Sequence, residues 1–227
     1  AAAYESYAKR FASYGIVVVA RDDPGAFTGS AIVASDLAYL VGTWLPAKNM
    51  DSASPLSGKV DASHVGLMGH SRGGQASLLA AEGALKGKVH AWWGLDPVDS
   101  NLTGQARTNL GSIGVPTGFL GASVTTSCSP AADNYQVLYG AAPSPSVLVT
   151  GVGANHTQIE DQAGCVLCNL CTPAGTADTS TVLAYSVRYA TAFFARELLG
   201  DASVGATFQG AGGPSDVAAG RVTIASK

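Results

Sequence analysis

The sequence has few charged residues and no excess of basic ones. Charged residues make up 13% of the 227 residues, and the formal net charge is −3. A nucleic-acid-binding surface needs clustered lysine and arginine, so we expect no nucleic-acid partner. Apolar runs such as YGIVVVA are far too short to span a bilayer. With 47% hydrophobic residues, the composition is typical of a compact globular protein with one sizeable core.

The sequence has only four cysteines, and three of them are close together in the chain. Their even number favours two disulfides formed in an oxidising compartment. We therefore expect a secreted or periplasmic protein. Three pairings are possible, and the sequence does not choose among them. Four thiolates around zinc or an iron–sulfur cluster are one alternative, and reduced thiols are another. We expect neither a metal nor a cofactor. The four cysteines are Cys128, Cys165, Cys168 and Cys171.

Short apolar runs alternate with helical patterns along most of the chain, which predicts a mainly parallel α/β sheet flanked by helices. We expect one catalytic domain at 1–199. A Gly- and Ala-rich tail at 200–227 should pack on it as irregular structure, with an edge strand at RVTI as its one regular element. The predicted strands are 16–20, 65–68, 88–96, 115–121 and 146–152, and the predicted helices are 1–15, 30–45, 72–85 and 180–198.

The stretch LMGHSRGGQA carries the first chemical signal. Gly69, Ser71 and Gly73 form G-x-S-x-G, the pattern of a nucleophile elbow between a strand and a helix. The serine of an elbow has strained backbone angles, and glycines two positions away avoid a collision with it. An apolar strand precedes the motif and a helical pattern follows it. We predict Ser71 as the nucleophile, and a serine in an ordinary loop is the alternative.

A serine hydroxyl needs a base, and four histidines compete for that role. His64 precedes the elbow strand and His90 lies at the start of the next strand, so both are at the wrong end of the sheet. His70 lies inside the elbow, with its side chain predicted to face away from the serine. We predict a structural role for these three histidines. His156 follows the last apolar strand, and parallel sheets carry their chemistry at the carboxyl ends of strands. We predict His156 as the general base, and an exposed loop histidine is the alternative.

The base in turn needs a carboxylate that fixes its tautomer and stabilises its charge. Asp96 directly follows the strand AWWGL and would emerge at the same edge of the sheet as Ser71. Asp99 lies further along the departing loop and is expected to cap the next segment. We predict Asp96 as the acid. The remaining alternatives are Asp133, Glu160 and Asp161.

Taken in order, several motifs resemble the chlorophyllase branch of the α/β-hydrolase superfamily. They are GHSRGG, GLDPVD, a Cys-Ser-Pro segment, Asn-His before an acidic pair, a cysteine-containing loop and a long helix. The resemblance covers the elbow to Leu199 and implies an α/β-hydrolase fold with Ser71, Asp96 and His156 as a triad. Pancreatic-type lipases also have their acid in a similar GLDP segment. Cutinase-like polyester hydrolases are similar too, but their acid follows the next strand, near Thr125 here, and this difference favours Asp96.

The expected activity is hydrolysis of carboxylic esters through an acyl-serine intermediate, with the backbone N–H of Arg72 in the oxyanion hole. Few residues separate Asp96 from the next strand, so a large lid is excluded and an open cleft suited to bulky or insoluble esters is expected. Three alternatives remain: a non-catalytic hydrolase-fold binding module, an acyltransferase or peptidase with the same triad, and a redox or metal protein built on CVLCNLC. The candidate substrate contacts are Ala26, Phe27, Thr28 and His70.

The front of the chain resembles the helix that follows the third strand of an α/β hydrolase. In that fold another strand lies between the one predicted at 16–20 and the elbow strand, and without it buried backbone groups lack partners. We therefore expect an upstream segment that is cleaved, carried as a separate chain or simply outside this sequence. It would also hold the second oxyanion donor. Direct pairing of 16–20 with 65–68 would contradict this expectation.

Overall fold

The computed structural model describes residues 2–21, 29–99, 105–161, 170–208 and 215–227. A π-helical turn at Leu40–Trp44 joins the second and third helices, and 3-10 turns lie at Ala2–Tyr4, Leu110–Ser112 and Ala202–Phe208. The strands are β1 Gly66–His70, β2 Ala91–Leu95, β3 Thr117–Ala122, β4 Ser146–Gly151 and β5 Val222–Ser226. The helices are α1 Glu5–Ala12, α2 Ser30–Tyr39, α3 Leu45–Met50, α4 Arg72–Glu82, α5 Gln105–Asn109, α6 Tyr135–Ala141, α7 Thr179–Leu199 and α8 Ser215–Ala218.

One five-stranded sheet runs through the centre of the described structure in the order β1-β2-β3-β4-β5. The first four strands pair in parallel, and β5 pairs antiparallel with β4. Helices lie between successive parallel strands along the chain, as parallel connections require. The predicted mainly parallel α/β sheet is confirmed. None of the described helices has the length and apolarity needed to cross a membrane.

Helices cover both faces of the sheet, as the contacts of two adjacent tryptophans show. Trp92 and Trp93 are neighbours on β2, so they point to opposite faces, and both are fully buried. Trp92 donates a hydrogen bond from Nε1 to Ser77 Oγ on α4, at 2.8 Å. Trp93 packs on Phe193 of α7, with ring centroids 5.1 Å apart. Burial on both faces explains why the strands are apolar runs without alternation.

Residues 16–20 differ from the prediction, because they form no strand. Val17 and Val18 are 42% and 40% exposed, and this segment pairs with no strand of the described sheet. An apolar run becomes a strand only where another strand offers hydrogen-bonding groups, and β1 pairs only with β2 among the described strands. The segment is also not paired with β1, so the expected intervening segment stays a prediction.

The C-terminal tail is more regular than expected. Its described part contains the 3-10 turn Ala202–Phe208, the short helix α8 and the strand β5. Strand β5 pairs with β4 from Val147 to Gly151 and forms the edge of the sheet. The run RVTI therefore predicted the strand, whereas the small residues before it gave no sign of the helical turns.

Glu82, at the end of α4, has a buried carboxyl group. Both of its oxygens are inaccessible to solvent and accept no hydrogen bond from the described residues. Burial, reinforced by the negative charge of Asp99, raises the pKa of Glu82 from its ordinary value of 4.5 to about 8, and Lys86 opposes this shift. The folded protein therefore keeps this carboxyl protonated at neutral pH.

Replacing Glu82 with glutamine should raise the melting temperature by an amount that grows with pH. The unfolded chain loses this proton near pH 4.5 and the folded chain near pH 8, so the wild type loses stability as the pH rises between these values. Calorimetry from about pH 5 to about pH 9 checks this trend. Glu5→Gln is the control, because the Glu5 side chain is 62% exposed. A pH-independent difference between Glu82→Gln and the wild type would contradict the expectation.

Candidate active site

Ser71 lies at the turn between β1 and α4 in a strained backbone conformation, with φ 55° and ψ −129°. Its N–H donates to the carbonyl of Leu95 at 3.1 Å. Its own carbonyl accepts from the N–H groups of Gly74 and Val98, both at 3.0 Å. Positive φ is costly for a residue with a side chain, so these three bonds hold a conformation that the isolated chain would avoid. The geometry is that of a nucleophile elbow.

The glycines around Ser71 serve the elbow unequally. A Cβ on Gly69 would lie 2.1 Å from the carbonyl oxygen of Gly73, and a Cβ on Gly74 would lie 2.5 Å from Cβ of Pro97. A Cβ on Gly73 would meet no atom within 4 Å. The prediction that Gly73 avoids a collision is therefore wrong. The second close approach falls one residue later, where α4 passes the loop after β2.

Alanine at Gly69 should disrupt the elbow, whereas alanine at Gly73 should be tolerated. Gly69→Ala forces a carbon against backbone, and overpacking of this kind costs about 1–3 kcal/mol of unfolding free energy. Gly73→Ala adds no clash in the first turn of α4, so its unfolding free energy should stay within about 0.5 kcal/mol of the wild type or rise. Urea denaturation of both variants measures the two values. Equal losses would show that the tight contact at Gly69 does not exist.

Asp96 and His156 form a buried hydrogen-bonded pair. Asp96 Oδ2 and His156 Nδ1 are 2.6 Å apart, and their side chains are 1% and 4% exposed. Asp96 has a φ of 36°, and its Oδ1 accepts from the N–H of Ala122 at 3.0 Å. Its own N–H donates to Leu120 at 2.6 Å. The carboxylate is thus held against β3 with one oxygen directed at the imidazole.

The strand register accounts for the position of this pair relative to Ser71. His70 of β1 pairs with Leu95 of β2, so the next residues, Ser71 and Asp96, leave adjacent strands at the same level. His156 lies on the loop that follows β4, beyond the same carboxyl edge of the sheet. The structure therefore brings Asp96 and His156 into contact and places both at the edge where Ser71 lies.

The surroundings of His156 favour its neutral form. Burial lowers the pKa of His156 below its ordinary value of 6.5, and the neighbouring imidazole of His70 lowers it further. The hydrogen bond and the charge of Asp96 act in the opposite direction, as does the charge of Glu160. In the neutral form Nδ1–H donates to Asp96, which leaves the lone pair of Nε2 as a proton acceptor. A general base needs this state.

The alternative carboxylates Asp99 and Asp133 have other partners. Asp99 Oδ1 accepts from Gln75 Nε2 at 2.7 Å, and its Oδ2 accepts from both N and Nε of Arg107 at 3.1 Å. The same guanidinium donates from Nη2 to Asp133 at 2.5 Å. Because Arg107 belongs to α5, Asp99 does bind the next segment, as its position in the sequence predicts.

The other histidines fall into two groups. His64 lies before β1, and its Nδ1 is 2.7 Å from a carboxylate oxygen of Asp61. His90 lies directly before β2, and its Nδ1 accepts from the N–H of Val65 at 3.2 Å. The ring of His70, by contrast, lies against that of His156, with centroids 4.4 Å apart. The sequence analysis did not predict this contact between His70 and the candidate base.

Asn155 shapes the turn that carries His156, and the sequence analysis gave it no role. Its Oδ1 accepts from the N–H groups of Thr157 and Gln158, both at 3.2 Å. Gln158 returns a contact, because its Oε1 accepts from the N–H of Asn155 at 2.9 Å. Asparagine commonly closes turns by binding backbone groups two residues ahead, so the pair Asn-His carried a usable signal.

One disulfide links the loop after β3 to the segment beyond His156. Cys128 and Cys171 are bonded, which confirms disulfide formation for two of the four cysteines and excludes a site that uses all four thiolates. Beside the bond, Ser127 N–H donates to the carbonyl of Thr172 at 2.8 Å. Cys165 and Cys168 lie outside the described residues. In the described ranges, no group of three His, Cys, Asp or Glu side chains is arranged to hold a metal ion.

The remaining predicted site residues are the oxyanion donor and the substrate contacts, and the structure describes only the first of these. Arg72 immediately follows Ser71 and is the first residue of α4, so its backbone N–H lies at a helix N-terminus. The predicted substrate contacts Ala26, Phe27 and Thr28 lie outside the described residues.

Replacing Asp96 with asparagine should lower kcat for ester hydrolysis by about 10³–10⁴-fold, because the amide stabilises the wrong tautomer and no longer balances the imidazolium charge. Asp133→Asn is the matched control, since Asp133 binds Arg107 rather than His156, and its kcat should stay near that of the wild type. Steady-state kinetics with p-nitrophenyl acetate measures both. If the losses were reversed between the two variants, Asp96 would not be the acid.

A comparison with models of known protein families gives a match. Residues 2–159 match a family model described as PETase: PET hydrolase-like. This range covers more than half of the chain and includes Ser71, Asp96 and His156. No curated protein sequence matches the chain. The match confirms the resemblance to α/β hydrolases, and it falls among the polyester hydrolases.

Proposed function

The chain belongs to the PET hydrolase-like family of the α/β-hydrolase superfamily and is a carboxylic ester hydrolase, and we propose that it acts through an acyl-serine intermediate on Ser71. The observation that carries this proposal is the buried 2.6 Å hydrogen bond between Asp96 and His156, at the sheet edge where the strained Ser71 follows β1. A structural ion pair alone gives no reason for a strained serine one strand away.

The proposed reaction has two steps. In the first, His156 Nε2 takes the proton of the Ser71 hydroxyl while Oγ forms a bond to the ester carbonyl carbon. The tetrahedral intermediate then collapses, the bond to the alcohol oxygen breaks, and His156 returns the proton to that oxygen. In the second step, water gives a proton to His156 and attacks the carbonyl carbon of the acyl-serine. The bond between that carbon and Ser71 Oγ then breaks, His156 returns the proton to Oγ, and the acid is released. Asp96 stays ionised throughout and stabilises the imidazolium.

The first turn of α4 supports stabilisation of the negative charge on the carbonyl oxygen. Backbone N–H groups of a helix's first turn have no acceptor within the helix, and the macrodipole makes that end positive. Arg72 begins this 11-residue helix directly after the nucleophile. We assign its backbone N–H to the oxyanion hole, where loss of one donor typically costs about 10²–10³ in kcat.

The substrate class that we propose is a bulky or polymeric ester, including an aromatic polyester. The family description supports it, because it names hydrolases of a polyester. The position of Asp96 after β2, in GLDPVD, favours a chlorophyll-type ester as the second candidate. The Cys128–Cys171 disulfide supports a secreted or periplasmic location, since such bonds persist in oxidising compartments.

Kinetics on p-nitrophenyl esters of increasing acyl length, followed by a polyester film, tests this function. Ser71→Ala should lower kcat by at least about 10⁴-fold, because no other group can form the acyl intermediate. Ser52→Ala is the matched control, since Ser52 is an exposed serine in the loop before β1. Undiminished turnover in Ser71→Ala would refute the proposal, and turnover of amides but not esters would identify a peptidase.

A further inference from the structure

We propose that His70 is a positioning residue that holds the general base His156 in its working orientation. The inference rests on the proposed function, because it assigns His156 as the base. It adds a residue that the triad does not include, and it replaces the expected roles of His70 as a structural residue or a substrate contact.

The contacts between the two histidines are both stacking and polar. Their rings are inclined by 33°, with centroids 4.4 Å apart. His70 Nε2 lies 3.0 Å from the backbone oxygen of His156. A carbonyl oxygen only accepts hydrogen bonds, so Nε2 of His70 carries a proton and donates it. His70 thus contacts both the side chain and the main chain of His156.

The other nitrogen of His70 is oriented by two groups. Its Nδ1 lies 2.7 Å from the hydroxyl of Tyr4 and 3.2 Å from Oε1 of Glu160. In neutral His70, Nδ1 has a lone pair, so the Tyr4 hydroxyl donates to it; in the cation, Nδ1–H donates to Glu160. Either arrangement leaves the proton on Nε2. The bond to His156 therefore persists in both protonation states.

Tyr4, one of the two groups that orient His70, belongs to a segment that is hydrogen-bonded to the loop of His156. Tyr7 donates from its hydroxyl to the carbonyl of Ile159 at 2.8 Å. Asp161 accepts hydrogen bonds from the N–H and the hydroxyl of Ser6, and its own N–H donates to Ala3 at 2.8 Å. Residues 3–7 and 159–161 thus form one hydrogen-bonded unit, with Tyr4 extending from it to His70. Movement of the His156 loop would break several of these bonds together.

Burial separates this role from direct substrate binding. The His70 side chain is 6% exposed and that of Glu160 is 15% exposed, so little of the His70 ring can contact a ligand. Its ring also lies close enough for its charge to lower the pKa of His156, as described above. Among the described residues, the titratable groups that face His156 are Asp96 from the turn after β2, His70 from the end of β1 and Glu160 from its own loop. His70 is faced by Tyr4, Glu160 and His156.

Three variants test the proposal on the full chain. His70→Phe keeps a stacking ring but has no donor, so kcat should fall about tenfold while KM changes less than about twofold. His70→Gln should recover part of this loss, because its amide N–H can donate to the His156 carbonyl. His64→Phe is the matched control, since His64 is half exposed before β1, and it should match the wild type.

The pH dependence supplies a readout that a structural role would not change. Phenylalanine removes the imidazole that lowers the pKa of His156, so the acid limb of kcat/KM should move to higher pH in His70→Phe. NMR titration of the His156 Cε1–H signal should show the same upward shift without any substrate. An unchanged pKa with unchanged kcat would overturn the proposal, and a loss confined to KM would do so in favour of substrate binding. If the wild type hydrolysed no ester, the NMR titration would still decide the role of His70 separately from the proposed function.

Discussion

The hydrogen bond between Asp96 and His156 is the contact on which the rest of the site depends. Burying a carboxylate beside an imidazole is costly unless the remaining oxygen and nitrogen also find partners. Here the second carboxylate oxygen is satisfied by the N–H of Ala122, and Asp96 itself is tied to β3 by its own N–H. The register of β1, β2 and β3 therefore fixes where the imidazole must lie. A shift of one residue in any of these pairings would separate Asp96, His156 and Ser71.

Backbone strain is confined to the residues that this arrangement requires. Ser71 and Asp96 are the two non-glycine residues with positive φ in the described part of the chain, and both directly follow strands at the same edge. Each is held by hydrogen bonds to the neighbouring strand or loop. Strain of this kind persists only where the surrounding structure over-determines the conformation, and these hydrogen bonds hold both residues in it.

Local signals in the sequence predicted much of this arrangement. Apolar runs predicted the four parallel strands because both faces of the sheet are buried, and residues directly after strands could be placed at one edge. The same reasoning gave a strand at 16–20, because composition does not show whether a pairing partner exists. The motif also predicted a close contact at Gly73, whereas the structure has it at Gly74. The contact of Gly74 with Pro97 is tertiary, so the local sequence gave no sign of it. The link from Tyr4 to His70 spans 66 residues and had no local signal.

The central claim is that Ser71 is the group that attacks the substrate, activated by His156. Covalent labelling with a fluorophosphonate tests it most directly, because such reagents react with a serine only when a neighbouring base takes up its proton. After labelling, peptide mass spectrometry should find one modified residue, Ser71, in the wild type and far slower modification in His156→Ala. Modification of a different serine, or equal labelling rates in the two proteins, would contradict the account.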